Sequence, residues 1–180
     1  RNQLVAIVVF LRGVNVGGHR TFRPTVLVRQ LEQLDAVNIG AAGTFVIRKP
    51  VSRTRLRDEI ARRLPFDAEI MTCQGREIIS LMSQEPFSDL AERRDIIRFV
   101  SVLSRSPRMA ASMPMSLPAR GKWLLKLLGR QNRFVFGLYR RQMKAIGYLS
   151  ELDRIFGVPV TTRNWNTIAA IAKVLDNRAT

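Results

Sequence analysis

One stretch of this chain, Leu11-Arg12-Gly13-Val14-Asn15-Val16-Gly17-Gly18, brings together a guanidinium, a carboxamide and two adjacent glycines. It lies between an apolar run, Leu4 to Phe10, and a helix start near Pro24. A strand that runs into a glycine loop and then a helix can turn backbone N–H groups toward an anion. Arginine grips phosphate or carboxylate with two parallel hydrogen bonds, and glycine reaches positive φ without steric cost. The expected ligand residues are therefore Arg12, Asn15, Gly17 and Gly18, and the expected ligand is a phosphate- or nucleotide-like small molecule. The loop is not either of the common nucleotide loops. No Gly-Lys-Ser/Thr follows it, and the Gly-x-Gly-x-x-Gly spacing is missing. The same residues also suit a tight turn whose Arg and Asn satisfy local carbonyls.

A second anion-friendly place is Thr161-Thr162-Arg163-Asn164-Trp165-Asn166-Thr167, at a strand end and a helix start. Asn164 is the expected cap, Trp165 the packing anchor and Arg163 the ligand residue. Arg12 and Arg163 are expected to line one pocket, because both follow strands that could be neighbours. A third cluster is a basic hairpin. Trp123, Phe134, Phe136 and Tyr139 stand among Lys122, Lys126, Arg130, Arg133, Arg140 and Arg141. Aromatics with basic neighbours on a sheet are how single-stranded nucleic acid is stacked, which makes such a module the alternative reading. Phe134 and Phe136 share one strand face, and that face also suits a core. A structural or protein-interaction domain without ligand is the third reading.

Other chemistry lacks its parts. His19 is the single histidine, so no His/His or Cys/His metal set exists and no zinc site is expected. A Ser-His-Asp triad would have to use His19, with no nucleophile elbow in sight. Cys73 ends an apolar run and reads as a small core residue. Asp58 and Glu59 occupy adjacent helix positions and point apart, where they neutralise Arg55, Arg62 and Arg63. No cofactor is implied.

The charge is the compositional outlier. Thirty Lys and Arg against 14 Asp and Glu give +16 over 180 residues. Residues 1–90 hold 13 basic and 9 acidic residues, whereas residues 91–180 hold 17 and 5. No carboxylate occurs between Asp95 and Glu151. Such an imbalance attracts polyanions; 25 of the 30 cations are Arg, so it also reads as a compositional habit. One cysteine precludes an intramolecular disulfide and fits a reducing compartment. No apolar run reaches the roughly 18 residues that span a bilayer, and no leader pattern is visible. A cytoplasmic protein without a membrane role is expected. The pattern sets no oligomeric state.

These residues need elements to position them. Leu4 to Phe10 reads as a strand covered on both faces. Thr21 and Pro24 start a helix with Leu27, Leu31 and Leu34 inward. Val37–Ala41 and Thr44–Lys49 read as two strands meeting at Ala42-Gly43, in a hairpin or as one long strand with a glycine bulge. Ser52 or Thr54 caps a helix with Leu56, Ile60 and Leu64 inward. Ala68–Cys73 is a strand closed by Gly75, and Glu77–Gln84 a short helix. The first half thus has the β-α-β-β-α-β order of a ferredoxin-like, split βαβ unit. Ile96–Leu103 is a strand, and Ser104–Arg120 a loop or brief helix. Trp123–Leu128 and Arg133–Tyr139 form a hairpin around residues 129–132. Leu149, Leu152, Ile155 and Phe156 mark a helix stopped at Gly157. Val158–Thr162 is a strand, and the last helix buries Ile168, Ile171, Ala172 and Leu175. The expected fold is α+β, two pseudo-duplicated ferredoxin-like halves: 1–90, and 91–180 with the C-terminal helix, or one compact unit.

LRGVNVGGH before a helix, the Gly43 turn, Glu85-Pro86-Phe87 and the closing TTRNWNT resemble the domain-of-unknown-function 1697 family in the same order along the chain. The resemblance implies a cytosolic α/β protein of two ferredoxin-like halves and assigns no activity, cofactor or catalytic residue. Where the family commonly has a Gln-Ser-Gly-Asn turn, this chain has Ala41-Ala42-Gly43-Thr44, which leaves one hydroxyl in place of three polar side chains.

Overall fold

The computed structural model describes residues 5–14, 18 and 21–177. Residues 1–82 with 169–180 form one compact unit, and residues 83–168 another. The expected division at residue 90 put the whole C-terminal helix in the second half; its last two thirds instead belong to the first unit.

The first unit is built on β1 (Ile7–Arg12). Its Ile7, Val8, Val9, Phe10 and Leu11 are all buried, as an uninterrupted apolar run with β-branched residues requires. β1 is flanked by β3 (Thr44–Ile47) and β4 (Glu69–Gln74), and β2 (Ala36–Asn38) lies beyond β3. All pairs are antiparallel. α1 (Pro24–Gln30) starts with proline in its first turn. Its cap is Arg23 without a side-chain bond, not Thr21. A 3-10 turn, Glu32–Leu34, follows. α2 (Arg53–Ala61) is capped by Ser52, whose Oγ accepts from Arg55 N at 3.2 Å. Ile7, Val9 and Leu11 share a core cluster with Leu27 and Leu31 from the α1 region and Leu56 and Ile60 from α2. α3 (Gly75–Ser83) follows β4 directly, so Gly75 opens a helix rather than closing a strand.

In the second unit β5 (Ile96–Leu103) is central. The sheet order is β6 (Met115–Leu117), β7, β8, β5, β9, again with every pair antiparallel. β7 is Leu125–Gln131, β8 Phe134–Arg140 and β9 Val160–Asn164. α4 (Met143–Leu149) and α5 (Leu152–Phe156) stand where one helix was expected. Gly157, at φ 68°, ends α5. Phe99, Leu127, Val135, Leu152, Phe156 and Val160 share this unit's core cluster. α6 (Trp165–Asp176) carries the four expected buried residues, Ile168, Ile171, Ala172 and Leu175.

Three differences from the sequence reading have local causes. Residues 104–120 contain a strand, β6 (Met115–Leu117), because Met115 and Leu117 find register partners in Leu127 and Leu125. The β7–β8 turn is Asn132-Arg133, not residues 129–132. Asn132 takes the left-handed conformation at φ 52°, which Asn tolerates better than most residues, so pairing continues past an irregularity at Leu127/Gly129. β1 begins at Ile7 and extends through Arg12, which pairs with Glu69 across to β4; Arg12 therefore ends the strand rather than entering the loop. Among the described residues, no helix is long and apolar enough to cross a membrane.

Burial sets the expected cost of truncation. Ile60 is wholly buried and Met143 is 84% exposed. In urea denaturation, Ile60→Ala should lose about 2–5 kcal/mol, and Met143→Ala should stay within about 0.5 kcal/mol of the parent.

Candidate functional site

β1 delivers Arg12 to the end of the first sheet. Its Nη1 donates to Glu69 Oε1 at 3.0 Å, with the two side chains 33% and 52% exposed. This is a surface ion pair of the kind that is worth little in water. The loop that follows is anchored at its start. Leu11 N donates to Gly43 O at 2.8 Å, and Val14 is buried. Gly43 has φ +79°, and a Cβ there would stand 2.8 Å from Val14 Cγ2 and 2.9 Å from Leu11 Cβ. Only glycine fits between these two side chains, so the turn has a packing duty. Gly18 is exposed, with φ +77° and open space where a Cβ would stand. Asn15 and Gly17 lie outside the described residues, as does His19.

Arg163 is placed differently from the expectation. It belongs to β9 and is 6% exposed. Its Nη1 donates to Thr161 Oγ1 at 2.7 Å and Thr162 O at 2.9 Å. Burial lowers its pKa to about 10, which leaves it cationic at neutral pH. β1 and β9 stand in different sheets, with β3 and β4 beside the first and β5 beside the second, so they are not the neighbouring strands on which a shared Arg12–Arg163 pocket was based. Strand alternation held the signal for Arg163: it shares a face with Thr161 and pairs with buried Val100.

The basic hairpin spends much of its charge internally. Lys126 Nζ lies 4.9 Å, and Arg140 Cζ 4.2 Å, from the centre of the Trp123 ring. Arg140 Nε also donates to Trp123 O at 2.8 Å. Arg130 reaches Asn132 O at 2.6 Å, and Arg133 reaches Leu103 O and Ser104 O, each at 3.3 Å. Phe134 is buried, Phe136 meets Phe87 edge-on at 6.2 Å, and Tyr139 packs on Phe99 at 5.7 Å. These rings and cations do not form the open stacking platform that the nucleic-acid reading needs. Lys122 and Arg141 are the exposed members whose side chains have no polar partner among the described residues.

Sequence reasoning missed a cleft of about 620 Å³ in the second unit, framed by residues 92–98, the end of β8 and the start of α6. Arg93 holds Asp95 through two bonds, Nε–Oδ1 at 3.0 Å and Nη2–Oδ2 at 2.7 Å, which keeps the carboxyl below its ordinary pKa. Arg98 donates to Leu90 O and lies 3.4 Å from Glu92 Oε1. Arg94 and Arg141 are exposed and have no side-chain polar partner among the described residues. At the other wall Asn164 Oδ1 caps α6 by accepting from Thr167 N and Oγ1, both at 2.9 Å. Trp165 rests against Phe87 at 5.0 Å. The sequence signal was the short run Arg93-Arg94 with one nearby aspartate, which only tertiary pairing sorts into neutralised and open cations.

The chain belongs to the family described as protein of unknown function (DUF1697), which matches residues 4–123. The closing TTRNWNT motif lies beyond the matched residues. No curated protein matches the chain. Among solved structures it is similar to the conserved bacterial protein SP0830 from Streptococcus pneumoniae, at 14% identity and a TM-score of 0.59 over 95% of this chain and 98% of that one. That likeness shows a shared fold.

The Gly43 wedge separates two costs. Gly43→Ala should lose roughly 2–4 kcal/mol from backbone strain and overpacking together. Gly40→Ala has a similar φ, +71°, but open space, and should lose only about 1–2 kcal/mol. Chemical denaturation of the two variants side by side checks the difference.

Proposed function

We propose that this DUF1697 protein binds a small anionic ligand, phosphate- or nucleotide-like, at the loop after β1. The reading rests on a partly exposed guanidinium at the strand end and on an exposed glycine a few residues further along the chain. Arg12 stands at the strand end with its side chain 33% exposed, and Gly18 is exposed at positive φ with open space where a Cβ would stand. Asn15 and Gly17, between them in sequence, complete the proposed set. Arg163, turned onto its own strand's oxygens, drops out as a direct ligand contact and serves the sheet instead. The cytoplasm is the setting we assign, in keeping with a single buried cysteine.

We read the two sheets as one plan used twice. The orders β2-β3-β1-β4 and β7-β8-β5-β9 match strand for strand, with β6 added at one edge. The first is the order of a split βαβ unit with its two helices. The second replaces the first crossover helix with residues 104–124. This supports a pair of ferredoxin-like halves, in which the helix after β1 is the element that the second copy lacks.

A thermal melt with inorganic phosphate and with nucleotides tests the function. A ligand that prefers the folded state raises the melting temperature; at about 100 times Kd the gain is about 2.7 kcal/mol. Arg12→Ala should remove most of that shift. Equal shifts in parent and variant would overturn the reading. An oligonucleotide measured at about 50 and 200 mM salt should show only weak binding, because a polymer-binding surface would instead lose affinity steeply over that range.

A further inference from the structure

We propose that the arginine-lined cleft of the second unit is another anion site, built from residues other than the loop after β1, and that it takes the phosphate group of a small phosphorylated molecule. Of its lining residues four are arginine and one, Glu92, is a carboxylate. Internal pairing sorts them. Arg93 is committed to Asp95 and Arg98 to Leu90 O and Glu92, so the charge left facing solvent is that of Arg94 and Arg141. Two forked guanidinium groups suit a phosphate dianion, which accepts paired bonds from each.

The backbone segments that carry the two cations are tied to one another. Arg141 N donates to Asp95 O at 3.0 Å, and Arg140 Nη1 lies 3.6 Å from Asp95 Oδ2. The segment carrying Arg94 is thereby tied to the strand end carrying Arg141. Tyr139 and Trp165 add half-buried rings. Burial raises the Tyr139 phenol above its ordinary pKa, with Arg141 opposing, so at neutral pH it is a hydroxyl donor. The volume, about 620 Å³, lies in the range of small-molecule sites. A cleft of this size with two open cations favours a small phosphorylated molecule over a polymer, since the hairpin cations that would track a strand, Lys122 and Arg141 apart, are turned onto carbonyls and an indole.

Calorimetric titration of the full chain with inorganic pyrophosphate and, separately, adenosine 5′-monophosphate at low salt tests this. Both arginines are exposed, so Arg94→Ala and Arg141→Ala should melt like the parent. Each should weaken the cleft's binding by about tenfold, since a charge-assisted bond is worth about that much; the double variant should lose it. Arg12→Ala should leave the cleft's affinity unchanged. If Arg12→Ala abolishes all binding and the double variant none, the cleft proposal falls and the loop reading stands; the reverse result upholds the cleft and removes the loop. No heat from either probe in the parent would overturn the proposal. So would an oligothymidylate that needs Arg94 and Arg141 while neither small probe binds.

Discussion

Guanidinium groups outnumber the carboxylates that could neutralise them, and the fold is arranged around that shortage. Where a carboxylate is at hand it is shared: Glu59 takes both Arg62 and Arg63, and bonding to Arg63 in particular holds its pKa below the ordinary value. Elsewhere arginines settle on main-chain oxygens, as Arg98 does on Leu90, Arg133 on Leu103 and Ser104, and Arg140 on Trp123. Charged donors make strong hydrogen bonds to carbonyls, and such bonds tie loops to strands without a counter-ion. Net charge is therefore a poor guide to where an anion would bind. The informative cations are those left over once internal partners are assigned.

This accounting explains which parts of the molecule were legible in the sequence. Elements fixed by apolar spacing read through directly. Ile96–Leu103 has the expected bounds, Leu56 and Ile60 face the core, and Asn164 caps the last helix. Each depends on a pattern contained within its own segment. β6 and α4 did not read through. Met115–Leu117 is a strand because Leu125 and Leu127 lie opposite, and Met143–Leu149 exposes Met143 and Ile146 while burying only Ala145, so its stripe is too faint to show. Strand propensity of so short a piece is set by its neighbours.

The candidate sites divide in the same way. The loop after β1 was visible because glycines and an arginine are adjacent in the chain. The sequence reading ended the strand at Thr162, so alternation, which puts Arg163 on the buried face of Thr161, was not applied to it. The cleft was invisible, since Arg94, Arg141 and Trp165 come from three separated segments and their openness depends on which carboxylates are already taken.

Arg140 shows what this arrangement demands of a single position. Its side chain lies over the indole of Trp123, bonds that residue's carbonyl and approaches Asp95. A flat cation with donors on several edges makes these contacts from one pose. Lysine, with one compact ammonium, would have to choose among them. At this point the preference for arginine is a matter of stereochemistry, whatever the codon habits of the source genome.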